Sequence, residues 1–164
     1  MLANFEIIIN AIAAVGVILS VIFLALQIRK NTQAVRASYY DSLNDTNIEF
    51  LRQLIEDKVL GKLFEKATLG WNDLGEDDKR TANFLFIQLF RHYENMYYQN
   101  KMQVFESWLW DSHRNTLISY FHHDGVQEWW RVRRQTFSDE FRIFLEKSEK
   151  PVDAIEMIAE LPKK

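Results

Sequence analysis

The pattern of hydrophobic and polar positions changes once, sharply, near residue 28. From Ile7 to Ile28 the only clearly polar residues are Asn10, Ser20 and Gln27. At about 1.5 Å per residue, a helix of this length spans roughly 33 Å, enough to cross a hydrocarbon core of about 30 Å. A buried helix of a soluble protein is usually shorter and carries a polar stripe, which is missing here. The segment is therefore predicted to be a transmembrane helix.

Beyond that segment, apolar residues recur with helical periodicity and helix-breaking residues are rare. The rest of the chain has only four glycines and two prolines, whereas sheet proteins need many turns and many such residues. An apolar seam follows the predicted membrane helix at spacings of three or four residues, through Val35, Tyr39, Leu43, Thr46, Phe50 and Leu54. We therefore predict an all-α fold in which the transmembrane helix continues without a cap to about residue 57 and joins a multi-helix bundle. The polar run Asn44–Asn47 is its weakest point.

Five further helices are predicted in the bundle. They are expected over about residues 59–68, 76–100, 105–122 and 126–135, with a last helix capped by Ser138. Trp71 is expected to hold the loop over 70–75 against the core, and Gly125 to end a helix with a positive φ. The residues predicted to face inward from the helix over 76–100 are Phe84, Ile87, Leu89, Phe90, Tyr93 and either Met96 or Tyr97.

The distribution of charge predicts the orientation of the membrane helix. All 20 Lys and Arg residues lie at or beyond Arg29, and Glu6 is the only charged residue before it. By the positive-inside rule, the flank with Arg29, Lys30 and Arg36 faces the cytoplasm, which places the helix in the inner (plasma) membrane with its N-terminus outside. A cleaved signal peptide needs a basic stretch before its apolar run, and none precedes this one. The helix is therefore predicted to be a retained anchor.

The chain is therefore predicted to have four parts. They are a short extracytoplasmic N-terminus (1–6), the transmembrane helix (7–28), a cytoplasmic helical domain (29–148) and a C-terminal tail (149–164). One more amphipathic helix is expected in the tail, over 152–161. The 16 aromatic residues between Phe84 and Phe144 are interpreted chiefly as a core of flat rings between these helices.

Polar and small residues in the apolar segment indicate association between helices. The Asn10 amide costs about 1–3 kcal/mol or more in lipid if it is unpaired. Gly16 and Ser20 form a small-x-x-x-small pair that allows two helices to approach closely. Gln27 and Asn31, one turn apart, can hydrogen-bond to the same residues of a neighbour. We expect a homo-oligomer or a complex with another membrane protein, in addition to membrane lipid.

An oligomeric pore is the alternative function. Several copies of the helix would then surround a conduction path, with Asn10, Ser20 and Gln27 facing the lumen. Hydrophobic rings such as Val17 and Leu24 would gate the path by dewetting. Packing and conduction use the same residues, so the residue pattern leaves both open.

Basic and aromatic residues alternate near the C-terminus in the run Trp129, Trp130, Arg131, Val132, Arg133 and Arg134. Together with Arg29 and Lys30, they are candidates for a surface that binds anionic lipid headgroups or a protein partner. The other interpretation is a solvated basic face over tryptophans that belong to the core. Trp108 and Trp110 would join Trp129 and Trp130 if the aromatic residues formed such a surface.

Motifs for chemistry are missing from the sequence. No Glu-x-x-His, His-Glu-x-x-His, Gly-x-Ser-x-Gly or phosphate-binding Gly-rich loop occurs, and there is no cysteine. No metal, cofactor or catalytic residue is therefore predicted, and the net charge of −3 argues against nucleic-acid binding. An enzyme would need a polar cleft lined by residues such as His92, Glu94 or His113.

Two loose motifs resemble a group of uncharacterised small bacterial single-pass membrane proteins. The first is Gln27-x-Arg29-x-Asn31-Thr32-x-Ala34 directly after the apolar helix. The second is Gly125-Val126-x-x-Trp129-Trp130, followed by Arg133, Phe137-Ser138 and Phe141. The resemblance implies a bacterial membrane-anchored helical protein and brings no activity, ligand or catalytic residue with it.

Overall fold

The structure, a computed structural model, describes residues 2–105 and 107–151, with side chains described at positions 4 and 10 and from 12 onward. Within those residues it contains helices and no strand, so the predicted all-α fold class is confirmed. The helices are α1 (Leu2–Glu56), α2 (Lys58–Leu69), α3 (Glu76–Lys101), α4 (Ser107–Phe121), α5 (Asp124–Arg133) and α6 (Asp139–Glu146), with a 3-10 turn at Arg134–Thr136. The chain divides into two compact units, Met1–Asp41 and Ser42–Lys164. The tail helix predicted over 152–161 lies outside the described residues.

The predicted uncapped continuation of the first helix is confirmed, because α1 runs unbroken to Glu56. The polar run at Asn44–Asn47 does not interrupt it. The Thr46 hydroxyl donates to the carbonyl of Ser42 at 2.9 Å, and Leu43 and Phe50 on either side of the run are buried. The predicted apolar seam is real at those two residues but not along its whole length, since Val35 and Thr46 are exposed.

Asp57 lies between the end of α1 and the start of α2, and its side chain caps α2. Asp57 is extended, and its side chain accepts hydrogen bonds from the backbone N–H groups of Val59 and Leu60 at 2.9 and 3.0 Å. This is an N-cap that satisfies donors of the first turn of α2. The α2 backbone then passes close to the last turns of α1, because a Cβ on Gly61 would lie 2.5 Å from the Leu54 carbonyl oxygen.

The core of the second unit is built from aromatic rings, as predicted. The Phe86 and Phe90 rings lie 5.2 and 5.4 Å from the ring of Trp129. Trp71 is buried with its ring 6.1 Å from that of Phe86, which confirms that it holds its loop against the core. Trp130 and Phe137 stack at 5.1 Å. These separations are in the range where aromatic pairs attract one another.

The predicted inner face of α3 is wrong by about one position at its start. Phe84 is 64% exposed and Ile87 is half-buried, whereas Leu85 and Phe86 are buried. Residues 84–87 are all apolar, so periodicity alone fits either face. The contacts of Phe86 with Trp71 and with α5 decide which face is buried.

Gly125 does not have the predicted positive φ, because no glycine in the described residues has one. It is the second residue of α5 and begins that helix rather than ending the one before it. A Cβ at this position would lie 2.0 Å from the Ala67 carbonyl oxygen and 2.8 Å from the Gly70 nitrogen. Glycine is required here because α5 contacts the backbone at the end of α2.

Candidate functional site

The apolar part of α1 is exposed throughout its described side chains. The large apolar residues are each at least half exposed: Ile12, Val15, Val17, Ile18, Leu19, Val21, Ile22, Phe23, Leu24, Leu26 and Ile28. Soluble monomers rarely expose a continuous apolar patch of this kind. In the described chain, one helix is long and apolar enough to cross a membrane, and this helix is α1. Its length, composition and exposure are compatible with a membrane anchor near the N-terminus.

Four of the five residues predicted to support helix association share one face of α1. Gly16, Ser20, Gln27 and Asn31 follow one another at spacings of four, seven and four residues, which keeps them on one side of a helix. All four are exposed. Asn10 is also exposed, but at about 100° per residue it lies about a quarter turn away from the centre of this face. We call Gly16, Ser20, Gln27 and Asn31 the association face.

The association face has small side chains at its N-terminal end, at Gly16 and Ser20. Apart from the neighbouring backbone of α1, no described atom lies within 4 Å of the place where a Cβ on Gly16 would be. The Ser20 hydroxyl donates to the Gly16 carbonyl at 2.8 Å, so its proton is satisfied within the helix. This geometry leaves room for a second backbone to approach.

Two residues of this face escaped the sequence analysis. Ala13 lies seven residues before Ser20, and Ala34 lies seven residues after Gln27. With Ser20 and Gln27 they form a row of small or amide side chains at a strict seven-residue spacing. That spacing is typical of helices that pack along a supercoil, and it was readable in the sequence.

The structure supports the interpretation of the basic and aromatic run in which the two tryptophans belong to the core, and the candidate surface is wrong for them. Trp129 and Trp130 are buried, with 0% and 3% of their surface exposed. The indole N–H of Trp129 donates to Asn83 at 3.1 Å, and that of Trp130 donates to Glu146 at 3.0 Å. A buried indole that has a hydrogen-bond partner is a core residue. Of the four tryptophans considered for an aromatic surface, Trp108 alone is exposed, whereas Trp110 is buried.

The basic residues of that predicted surface are all exposed. Arg131, Arg133 and Arg134 lie at the end of α5 and in the 3-10 turn. Arg134 is 3.2 Å from the carboxylate of Glu146 and is therefore partly neutralised. Arg29 and Lys30 are exposed on α1. What remains of the prediction is one exposed basic group on each unit, without the two tryptophans.

Glu94, which was considered as a catalytic carboxylate, is a structural residue in this fold. It is buried, and one of its oxygens accepts hydrogen bonds from both the N–H and the hydroxyl of Ser138, each at 2.8 Å. Its other oxygen accepts from Arg91 at 2.5 Å. Tyr98 donates in turn to the Ser138 hydroxyl at 2.8 Å. Ser138 occupies the N-cap position of α6 as predicted, but its side chain accepts no hydrogen bond from that helix.

The buried carboxylate therefore joins α3 to the start of α6. Arg91 adds a hydrogen bond to the Thr136 carbonyl, and its guanidinium lies 5.1 Å from the centre of the Phe137 ring. With this many donors, both oxygens of the buried carboxylate have hydrogen-bond partners within the fold. The contact joins residues 44 positions apart, and no local signal in the sequence points to it.

His92, the second residue of the hypothetical cleft, lines a narrow crevice. The other lining residues are Thr46, Asn47, Phe50, Gln88 and Leu89. The volume of about 10 Å³ is at the lower limit for one water molecule, so the crevice has no room for a substrate. Within the described residues, no three metal-binding side chains lie together. Burial lowers the pKa of His92 to about 4, and the nearby His113 adds to the effect.

This lowered pKa predicts a loss of stability in mild acid. Unfolded His92 titrates near 6.5 and the folded residue near 4, so below pH 6.5 the unfolded chain binds the proton more readily. Stability is full above that pH and falls as the pH drops towards 4. Allowing for partial exposure, we expect a loss of about 1–2 kcal/mol at pH 5, measured as a lower melting temperature of the full chain in detergent micelles.

The matched variant is His92→Gln, which cannot take up the proton. Its melting temperature should depend less on pH than that of the natural chain. A smaller slope should remain, because burial also lowers the pKa of His113 and His122. An unchanged slope in His92→Gln would assign the acid sensitivity to other groups.

Comparison with family models, with curated proteins and with solved structures finds no match for this chain. The features that indicate a function are therefore the association face and the exposed apolar surface of α1.

Proposed function

We propose that this protein is a self-associating, membrane-anchored structural or interaction protein, with one transmembrane helix per subunit and a cytoplasmic helical bundle that meets partners. The observation that supports it best is the α1 surface, where the exposed apolar segment described over 12–28 carries Gly16, Ser20 and Gln27 on one face, with Asn31 one turn beyond. Hydrophobicity favours lipid as the surroundings of this helix. The small and polar face favours a second helix within that lipid.

The orientation in the proposal depends on basic residues. Arg29, Lys30 and Arg36 follow the apolar segment directly, whereas no Lys or Arg precedes it. By the positive-inside rule, such asymmetry favours a cytoplasmic location for the basic side of a helix in an inner membrane. Protease added to the outside of intact cells should therefore leave nearly all of the chain undigested.

Self-association is proposed because the apolar segment carries polar groups that need partners. An amide in hydrocarbon costs about 1–3 kcal/mol if it is unpaired. Gln27 and Asn31 lie one turn apart on the association face, near the boundary where the basic residues begin. A second copy would supply matching amides at the same depth, and Gly16 would let the two backbones approach.

The test is to enlarge a small residue on the association face. We expect Ser20→Leu to lower the association constant of the detergent-solubilised protein by about tenfold, which corresponds to a loss of roughly 1.4 kcal/mol of association energy. The particle mass, measured over a range of protein-to-detergent ratios, reports the effect. Ala25→Leu is the matched control, because Ala25 is exposed on the opposite side of α1.

Two results would contradict the proposal. One is a natural chain that stays monomeric in mild detergent at every concentration. The other is a product that fractionates as soluble protein and begins after the apolar segment, because the same helix would then have served as a cleaved signal sequence.

An oligomeric pore is the second candidate, favoured by the presence of Ser20, Gln27 and Asn31 on one face. Val17 and Leu24 lie beside that face and would form the hydrophobic constriction. Reconstituted protein that carries current or solute flux would favour the pore. Assembly without flux under voltage and tension would favour packing.

A further inference from the structure

A second exposed stripe lies on α1, within the unit that begins at Ser42. Ile48, Leu51 and Ile55 are 44%, 42% and 75% exposed. Their spacings of three and four residues place them on one face of the helix. Leu43 and Phe50, by contrast, are buried in the core of this unit. The helix therefore has one apolar side in the bundle and another side that no other residue of the described ranges 2–105 and 107–151 covers.

The order of residue types in this stripe is that of a particular coiled coil. Isoleucine at the first position of a heptad with leucine at the fourth favours two parallel strands. Ile48, Leu51 and Ile55 have this order. In a parallel pair, position 47 of one helix faces position 52 of the other. An Asn47 amide would meet the Arg52 guanidinium there, so no like charges oppose each other.

The charges beside the stripe are also compatible with self-pairing. Arg52 already bonds to Glu49 within the same helix at 2.8 Å. The charges of Arg52 and Glu49 therefore neutralise each other locally, and a second copy would not meet a surface charged with one sign. This disfavours a strongly charged partner, because such a partner would find no complementary surface here.

The size of the stripe also indicates which occupant it can hold. A stable interface buries about 800 Å² on each partner, and three partly exposed side chains offer much less. A free soluble partner would therefore bind weakly. A second copy of this chain is different, because association through the membrane would hold its stripe at high local concentration.

The association face and the stripe both contain residues at a seven-residue spacing. Ser20 and Gln27 are seven residues apart, and Ile48 and Ile55 repeat that spacing 28 residues further along the chain. The positions between them in the same series are Ala34 and the charged Asp41. The seam is therefore not continuous, and the stripe is a contact of its own.

We propose that the stripe formed by Ile48, Leu51 and Ile55 binds the same stripe of a second copy of this chain as a short, parallel, two-stranded coiled coil. The proposal rests on the proposed self-association in the membrane and adds the contact outside it. Each subunit would contribute the same three side chains, in the same direction.

Cysteine crosslinking in membranes tests this contact, and the natural chain has no cysteine to interfere. Single variants Ile48→Cys, Leu51→Cys and Ile55→Cys should form covalent dimers under mild oxidation, because equivalent seam positions come within disulfide reach. Glu49→Cys and Leu69→Cys are controls at exposed positions off the stripe. We expect dimer formation at the stripe to be at least about tenfold faster than at these controls.

A Gln27→Cys variant separates this inference from the proposed function. Crosslinking at 27 without crosslinking at 48, 51 or 55 would overturn the coiled coil and leave association in the membrane intact. No crosslinking at any of the four positions would overturn both. Equal rates at the stripe and at Glu49→Cys or Leu69→Cys would indicate random collision and would also overturn the coiled coil.

Discussion

Replacing Gly125 with alanine is expected to destabilise the helical unit more than any other single-methyl change in the chain. The added Cβ would lie 2.0 Å from the Ala67 carbonyl oxygen and 2.8 Å from two more backbone atoms. Backbone cannot rotate away as a side chain can, so α5 has to move off the end of α2. We expect a loss of at least about 3 kcal/mol in the free energy of unfolding.

Thermal unfolding of the full chain in micelles, followed by circular dichroism, measures this loss. At this chain length, 3 kcal/mol corresponds to a fall of about 10 °C in the melting temperature. Gly75→Ala is the matched control, because no atom lies within 4 Å of its Cβ position and its backbone is extended. The control should lose less than about 1 kcal/mol. Similar losses in the two variants would contradict the close contact between α5 and α2.

The second large effect is expected at Glu94. Glu94→Ala removes the acceptor for the Ser138 N–H and hydroxyl and leaves Arg91 without its carboxylate. Removing one partner of a buried pair typically costs about 3–5 kcal/mol. Because Arg91 is half exposed, we expect about 3 kcal/mol, with Glu94→Gln losing less because an amide oxygen still accepts from Ser138.

Two comparisons test the role of Glu94. Glu49→Ala removes an ion pair whose two side chains are both more than half exposed, so its loss should be below about 1 kcal/mol. Arg91→Ala combined with Glu94→Ala should cost less than the sum of the two single changes, because they share one network. Additive losses would show that the residues act independently.

Much of the fold follows from where helices can and cannot stop. Asp57, loop 70–75 and Ser138 each mark a boundary in the sequence, and the structure places helix ends at all three. Continuity of α1 followed from the lack of Gly and Pro after the apolar segment. The inner face of α3 did not follow, because four consecutive apolar residues at 84–87 fit two helix faces and only tertiary contacts choose between them.

The tertiary contacts that explain particular residues were harder to predict than the positions of the helices. Gly125 stood out as a glycine near a helix boundary, but its cause is a backbone contact with a helix more than 50 residues earlier. For Trp129 and Trp130, the aromatic pattern favoured a core but left a surface open. The partners of their indole N–H groups, Asn83 and Glu146, settle that question and cannot be identified from local sequence.

The association face was more predictable, because its members lie on a single helix. Seven-residue and four-residue spacings alone place Gly16, Ser20, Gln27 and Asn31 together. Asn10 was grouped with them by polarity, and the helical repeat moves it about a quarter turn away.

The intrahelical hydrogen bond of the Ser20 hydroxyl determines the surface that this position offers to a neighbouring helix. Its proton is committed to the carbonyl one turn back, so outwardly the position offers lone pairs and little bulk. Van der Waals packing, rather than a hydrogen bond donated from one helix to the other, would then determine how closely two helices approach at Ser20. Ser20→Ala would preserve this packing, and only a larger side chain at this position would separate the two helices.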